Sequence, residues 1–460
     1  MATDYTEDDL EVGRAALLTG WSTGSEPGLV ITKASGALVW DSEGKDYIDC
    51  TAMAWANNIG ASVPEVVEAA FEQARELSHL RSNFDSVPLL RLSKALTESA
   101  PGDLKRIMFT LHGSLAVEMA MKLAMINRPQ HTGPFLALTD GYHGRSLASM
   151  ALCWPHTNPA FSRILPEVLR VPQPYAYRSG RSEDDEVDYC MAELRDTIAR
   201  RATVLPPALF MEPVQGNGTQ LDFPRRYYQE VRRFCTENDI LLVFDEVQTG
   251  FGRTGKMWAA EYYGVTPDIL VFGKGVGGGF PLAGILCSTE LAGFQPGDEA
   301  LTFAESPVSL AAGLAALEVL KRDGLLQACE EMGRYATDAL LEMKPRHPLI
   351  GDIRGPGLLI GIELVLDQDT KEPAISETLE VYRQAMDLGV IFGTTKYDGL
   401  GNVLKIKPPF VITKAQMDRV LTVLDEVLTV IEAGSPVGKA QALPAAAGGH
   451  ERADAALSLN

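Results

Sequence analysis

Leu241–Gly284 reads LLVFDEVQTGFGRTGKMWAAEYYGVTPDILVFGKGVGGGFPLAG. It holds two short, wholly apolar runs, Leu241–Phe244 and Ile269–Phe272. Runs of this kind, bounded by turn residues, read as strands buried in a sheet. The first stops at Asp245. The second stops at Gly273, with Lys274 set inside a cluster of glycines.

Outward from this stretch the pattern repeats. Between Leu104 and Leu291, β-runs at Arg106–Thr110, Phe135–Thr139, Ala208–Met211 and Ala283–Cys287 alternate with helical stretches such as SLAVEMAMKLAM and RRYYQEVRRFCTEN. Alternation predicts an α/β fold with a mostly parallel sheet covered by helices on both faces. Before it lie a short helix or disordered arm up to Ala16 and a β-meander turning at Gly36 and Gly44. A helix then opens at Pro64. After it come IGDIRGPGLLIGIELVLD, GVIFGTTK, NVLKIKPP and an amphipathic helix from Lys414, which read as a second, smaller α/β domain. The expected division is a 1–65 segment joined to the small domain, a large domain at 66–322, the small domain at 323–433 and a disordered tail from 434. The acidic run Glu183–Glu186 is expected to be a solvated loop.

A chain of 460 residues has room for such a two-domain arrangement. Its formal charge of −20 repels phosphate backbones, which argues against a nucleic-acid partner. The six cysteines are scattered without CxxC spacing, so reduced thiols in a cytoplasmic protein are expected, and no metal site. The start lacks the features of a signal peptide, and no apolar run is long enough to span a bilayer, so no membrane partner is expected.

Ligands of open α/β sheets bind beyond the carboxyl ends of the strands. Three apolar runs lead there into charged residues: Glu212, Asp245 and Lys274. Lys274 does not open a nucleotide P-loop, because that motif needs Lys-Ser/Thr at the start of a helix, whereas Gly275 and VGGGFPLAG follow. A solvated turn lysine is the plain alternative. A lysine forming an imine with an aldehyde cofactor fits better, with the glycines leaving room for a planar group. Pyridoxal phosphate would also need an acid at its ring nitrogen, a phosphate cradle and a stacking ring. Asp245 is the candidate acid. Gly113 and Ser114, at the start of a long helix, form the candidate cradle. Tyr142, in DGYHGRS, is the candidate ring, with His143 expected to support it.

These residues resemble the class III aminotransferases, pyridoxal-phosphate enzymes of fold type I. DEVQTGFGRTGKMWAAEYYGVTPDILVFGKGVGGGFPLAG, GYHGR, MEPVQG and IGDIRGPGLLIGIEL are similar to the family's motifs, in order and spacing, over about nine-tenths of the chain. The resemblance implies a large domain with a seven-stranded sheet and a homodimer with its sites at the interface. It implies that Lys274 carries the cofactor and shuttles a proton, that Asp245 partners the ring nitrogen, and that Gln248 approaches the ring hydroxyl. It also implies that Tyr142 stacks, that Gly113 and Ser114 hold the phosphate, and that Thr302 reaches the neighbouring subunit's phosphate. Glu212 matches a carboxylate near the site.

The chain also departs from the family. HGSLA replaces SGTEA, placing His112 where a serine is usual. Asn217 follows QG where a glutamate is common. Lys405, in VLKIKPP, stands where an arginine often grips an α-carboxylate. A lysine offers a point charge rather than a bidentate fork. Either the substrate lacks an α-amino-acid head, as an amino sugar, a polyamine or another primary amine does, or Lys405 is a solvated strand charge and another residue binds the carboxylate. Trp55 either lines the substrate entrance or packs in the core. The expected reaction is transamination between an amine donor and a keto or aldehyde acceptor. An epimerase, racemase or ammonia lyase on the same scaffold is the alternative, and a non-enzymatic cofactor-holding protein is the remaining contrast.

Overall fold

The computed structural model describes residues 5–18, 29–153, 159–394 and 401–434. The tail expected to be disordered lies, beyond Gly434, outside these residues. The core is a seven-stranded sheet. In chain order its strands are β1 (Arg106–Thr110), β2 (Phe135–Leu138), β3 (Val168–Val171), β4 (Ala208–Met211), β5 (Leu241–Asp245), β6 (Ile269–Phe272) and β7 (Ala283–Cys287). Their spatial order is β1-β7-β6-β5-β4-β2-β3. Strands β2 to β6 are parallel, and β7 runs antiparallel to both β6 and β1.

Every residue of β4, β5 and β6 is buried, which is why these strands read as unbroken apolar runs. Alternate residues serve opposite faces. Val243, Val271 and Ile285 share one core cluster with Ala116, Ala120 and Ala124 of the helix Gly113–Asn127. Leu242, Phe244 and Leu270 share the other with Val231 and Phe234 of the helix Arg225–Glu237. Strand β3 was not among the expected runs. It is an edge strand, and Arg170 interrupts its apolar pattern while donating to the Leu152 and Cys153 carbonyls at 2.5 and 2.6 Å.

One local expectation is corrected. Glu183–Glu186 is the first turn of the helix Glu183–Arg201, not a solvated loop. The Ser182 hydroxyl caps it, accepting from the Asp185 N–H at 3.1 Å. Acids in a first turn complement the helix dipole. Glu186 is buried and pairs with Arg181 at 2.8 Å.

The N-terminal arm is helical over Glu7–Ala16, capped by Thr6. The meander strands Ile31–Ser35, Leu38–Asp41 and Asp46–Asp49 form a sheet that Val390–Ile391 completes in parallel. The N-terminal meander and the segment Val390–Ile391 therefore share one sheet. A second, three-stranded antiparallel sheet contains Ile350–Arg354, Ile360–Leu364 and Val403–Ile406, and the helix Lys414–Gly434 follows. Among the described residues no helix is long and apolar enough to cross a membrane.

Candidate active site

Parallel β2, β4, β5 and β6 deliver their carboxyl ends to one edge of the sheet, as the ligand rule for open α/β sheets anticipates. A cavity of about 400 Å³ opens there. Lys274, Asp245, Glu212, Gln248, Tyr142 and His143 all line it, as do His112, Gly113 and Ser114. Residues far apart in sequence are thus brought to one place.

Lys274 begins a short 3-10 turn, Lys274–Gly277, and has φ +49°. A left-handed conformation costs a non-glycine residue roughly 1–2 kcal/mol, so the surrounding packing must hold it. The enclosing walls desolvate its ammonium and push the pKa down to about 8, against the opposing pull of Asp245 and Glu212. Its Nζ stands 4.8 Å from the centre of the Trp55 ring.

The glycines around Lys274 mostly serve the protein's own packing rather than making room for a ligand, which corrects the expectation. A Cβ on Gly275 would collide with the Asn58 side chain. Gly278, at φ +57°, would press on Ala316 and Val66. Gly279 is the one of these glycines that reaches the cavity.

Asp245 is buried at the end of β5 and is held from two sides. Its Oδ1 accepts the Val247 N–H at 3.1 Å, and its Oδ2 lies 2.8 Å from His143 Nδ1. His143 therefore supports Asp245, not Tyr142 as expected. With Asp245 ionised, Nδ1 must carry the proton.

Glu212 follows β4 and accepts the N–H groups of Tyr142 at 2.8 Å and Gly216 at 3.1 Å. Burial raises its pKa to about 7, the Tyr142 and Gly216 bonds notwithstanding. It anchors the backbone that carries the Tyr142 ring. Arg145 lies 4.6 Å from the centre of that ring.

The helix Gly113–Asn127 points its N-terminus into the cavity. His112 occupies the capping position but makes no side-chain cap bond, and the first N–H groups of any helix lack intrahelical partners. Such a terminus is suited to an anion. Ser114 Oγ accepts the Arg145 N–H at 3.0 Å, tying this turn to the Tyr142 loop.

Lys405 is fully buried, so it is not a solvated strand charge. It lies on the strand Val403–Ile406, and its Nζ donates to the Asn217 carbonyl. Burial pushes its pKa down to about 7. Two residues on, Lys407 is equally buried and donates to the Gly216 carbonyl at 2.6 Å and to Gln248 Oε1 at 2.7 Å. Period-2 alternation in Lys-Ile-Lys puts both lysines on one face of the extended chain, the sequence signal that marks Lys407 beside Lys405. Trp55 is half-buried and its ring lies 4.6 Å from Lys407 Nζ, so it packs against both Lys274 and Lys407. Thr302 sits apart from the cavity in an exposed turn. Arg253 is a buried strut, donating to Asn58 Oδ1 at 2.5 Å and to the Pro408 carbonyl at 2.6 Å.

Comparisons with known proteins point the same way. The family model described as "Aminotransferase class-III" matches residues 22–428. Isoleucine 2-epimerase of Lentilactobacillus buchneri is 36% identical, covering 88% of this chain and 91% of its own length. Acetylornithine aminotransferase of Caldanaerobacter subterraneus subsp. tengcongensis is 32% identical over 88% of this chain and 95% of its own. The solved structure of an (S)-enantioselective omega-transaminase from Thermomicrobium roseum superposes with a TM-score of 0.84 at 29% identity, covering 93% and 99% of the two chains.

Proposed function

This chain is a member of the class III aminotransferases, pyridoxal-phosphate-dependent enzymes of fold type I, and from that premise we propose that Lys274 is its cofactor-bearing and proton-shuttling residue. It moves an amino group between a donor and a keto or aldehyde acceptor. The observation that carries the assignment is the meeting of Lys274, Asp245 and an uncapped helix N-terminus in one cavity.

The donor set fits the cofactor. Lys274 supplies an amine of lowered proton affinity, Asp245 a carboxylate for the ring nitrogen, and Gly113 and Ser114 a helix terminus for the phosphate. Tyr142 supplies a ring to stack and Gln248 an amide at the cavity wall. When bound, pyridoxal phosphate supplies an aldehyde for amines and a conjugated ring that accepts electrons as a bond to Cα breaks.

The protein's own residues orient the donor and handle the proton. With a pKa near 8, Lys274 Nζ can take and return a proton at the donor's Cα near neutral pH. His143 and the Val247 N–H hold the Asp245 charge in place, so no reorganisation is needed as charge develops. Lys405, turned to the Asn217 carbonyl, offers no bidentate fork, which supports a primary amine such as an amino sugar or polyamine over an α-amino acid.

Half-reaction spectroscopy tests this. An amine donor alone should convert the bound cofactor to its pyridoxamine form. The 36%-identical relative named as an epimerase favours a second reading. Under it, the Cα proton would exchange with solvent and no pyridoxamine form would accumulate.

We also propose the 66–322 and 323–433 division into large and small domains, and a cytoplasmic homodimer in which Thr302 reaches the partner's site. Exposure of Thr302 away from its own cavity supports the last assignment.

A further inference from the structure

Lys407 stands behind the cavity wall, and its contacts determine the orientation of a wall residue. Its Nζ donates to the Gln248 amide oxygen 2.7 Å away, although burial and the neighbouring cations push its pKa well below that of an ordinary lysine. With Oε1 committed to Lys407, the NH2 end is the part of Gln248 left to serve the cavity, three residues beyond Asp245.

Two further features maintain this arrangement. Lys407 also donates to the Gly216 carbonyl at 2.6 Å, pinning the turn after Glu212. Gly216 in turn presses against Gln248 so closely that an added Cβ would overlap the amide oxygen. Lys407, Gly216 and Gln248 thus form one interlocked unit on three separate segments. The charged groups facing Lys407 are Lys405, Lys274, Arg253 and Glu212. The Trp55 ring also packs against it, its centre 4.6 Å from Lys407 Nζ.

We propose that Lys407 is a positioning residue that holds Gln248 as a hydrogen-bond donor, not an acceptor, toward the cofactor borne by Lys274. The inference rests on the cofactor assignment above. A donor aimed at the ring's phenolic oxygen favours its anionic form. That oxygen shares a proton with the neighbouring lysine-linked nitrogen, so the proton leaves at a lower pH than it would beside an acceptor or an apolar wall.

The test is a pH titration of the visible absorption band of the holoenzyme. K407M should raise the band's titration midpoint by about one pH unit. Q248M should raise it similarly, and K407M/Q248M should match Q248M rather than sum the two shifts, because Lys407 acts through Gln248. If K407M does not fold, G216A applies the same displacement with Lys407 retained and should also raise the midpoint. A midpoint unchanged in K407M or G216A, or additive shifts in the double variant, would overturn the inference. A wild-type protein that shows no such band on loading would overturn the cofactor assignment itself, and this inference with it.

Discussion

His143 Nδ1 and Asp245 Oδ2 stand 2.8 Å apart, and both side chains are buried. The pair joins the loop after β2 to the end of β5, so the carboxylate at the cavity wall has its direction fixed before any ligand enters. D245N keeps the shape and removes the charge. It should slow the amine half-reaction by ~100-fold or more, the scale set by deleting one preorganised electrostatic group. H143F leaves the Val247 N–H on Asp245 and should cost about tenfold, near the worth of one hydrogen bond to a charged group. Single-turnover absorbance measurements separate the two, and equal losses would count against the hierarchy.

The lowered proton affinity of Lys274 has a direct kinetic consequence. Only the free amine attacks an aldehyde, and its fraction rises with pH around a midpoint of about 8. Stopped-flow capture of pyridoxal phosphate by cofactor-free protein should therefore accelerate with pH and level off above about 9. A midpoint near that of an ordinary lysine would show that the site does not desolvate the amine.

Glu212 holds the Tyr142 and Gly216 backbone N–H groups with its two oxygens. In E212Q one oxygen becomes an NH2, which cannot accept, so one buried N–H loses its partner. The cost should be about 1–3 kcal/mol, read as a lowered denaturant midpoint, together with weaker cofactor retention. Unchanged stability would remove Glu212 from its anchoring role.

Glu363 is gripped by Arg178 Nε and Arg354 Nη1, both at 2.7 Å, and by the Tyr175 hydroxyl. Burial alone would raise its pKa, but Arg354, Tyr175 and Arg178 outweigh burial and lower it. The contribution is therefore present in full above the unfolded glutamate value and fades as pH falls through the lower folded value. E363Q leaves Asp352, 2.8 Å away, as the remaining carboxylate on buried Arg354 and should cost about 1–3 kcal/mol near pH 7, with the gap to wild type closing under acid. Urea melts at two pH values check both the size and the sign.

Much of this was legible in the sequence, and the exceptions have physical causes. Runs buried on both faces, such as Leu241–Phe244, announce their strands directly, whereas edge strand β3 hides behind Arg170. The acids of Glu183–Glu186 suggest solvent until Ser182 is seen as a cap. Lys274, Asp245 and Glu212 were legible because each follows an apolar run, and in a parallel sheet such positions converge. Lys407 was not, because a lysine in an extended segment reads as a surface charge, and its burial comes from Gly216, Gln248 and Trp55, all distant in sequence. The partner of His143 was hidden for the same reason: Asp245 lies a hundred residues away, on a different strand.

The half-buried Lys274 and the buried Lys405 and Lys407 share this region, so the site of cofactor attachment is the decisive fact. Borohydride reduction of the holoenzyme followed by peptide mass mapping measures it directly. The predicted result is a reduced cofactor adduct on Lys274 alone, lost in K274A together with turnover. An adduct on Lys405 or Lys407, or normal turnover in K274A, would contradict the account.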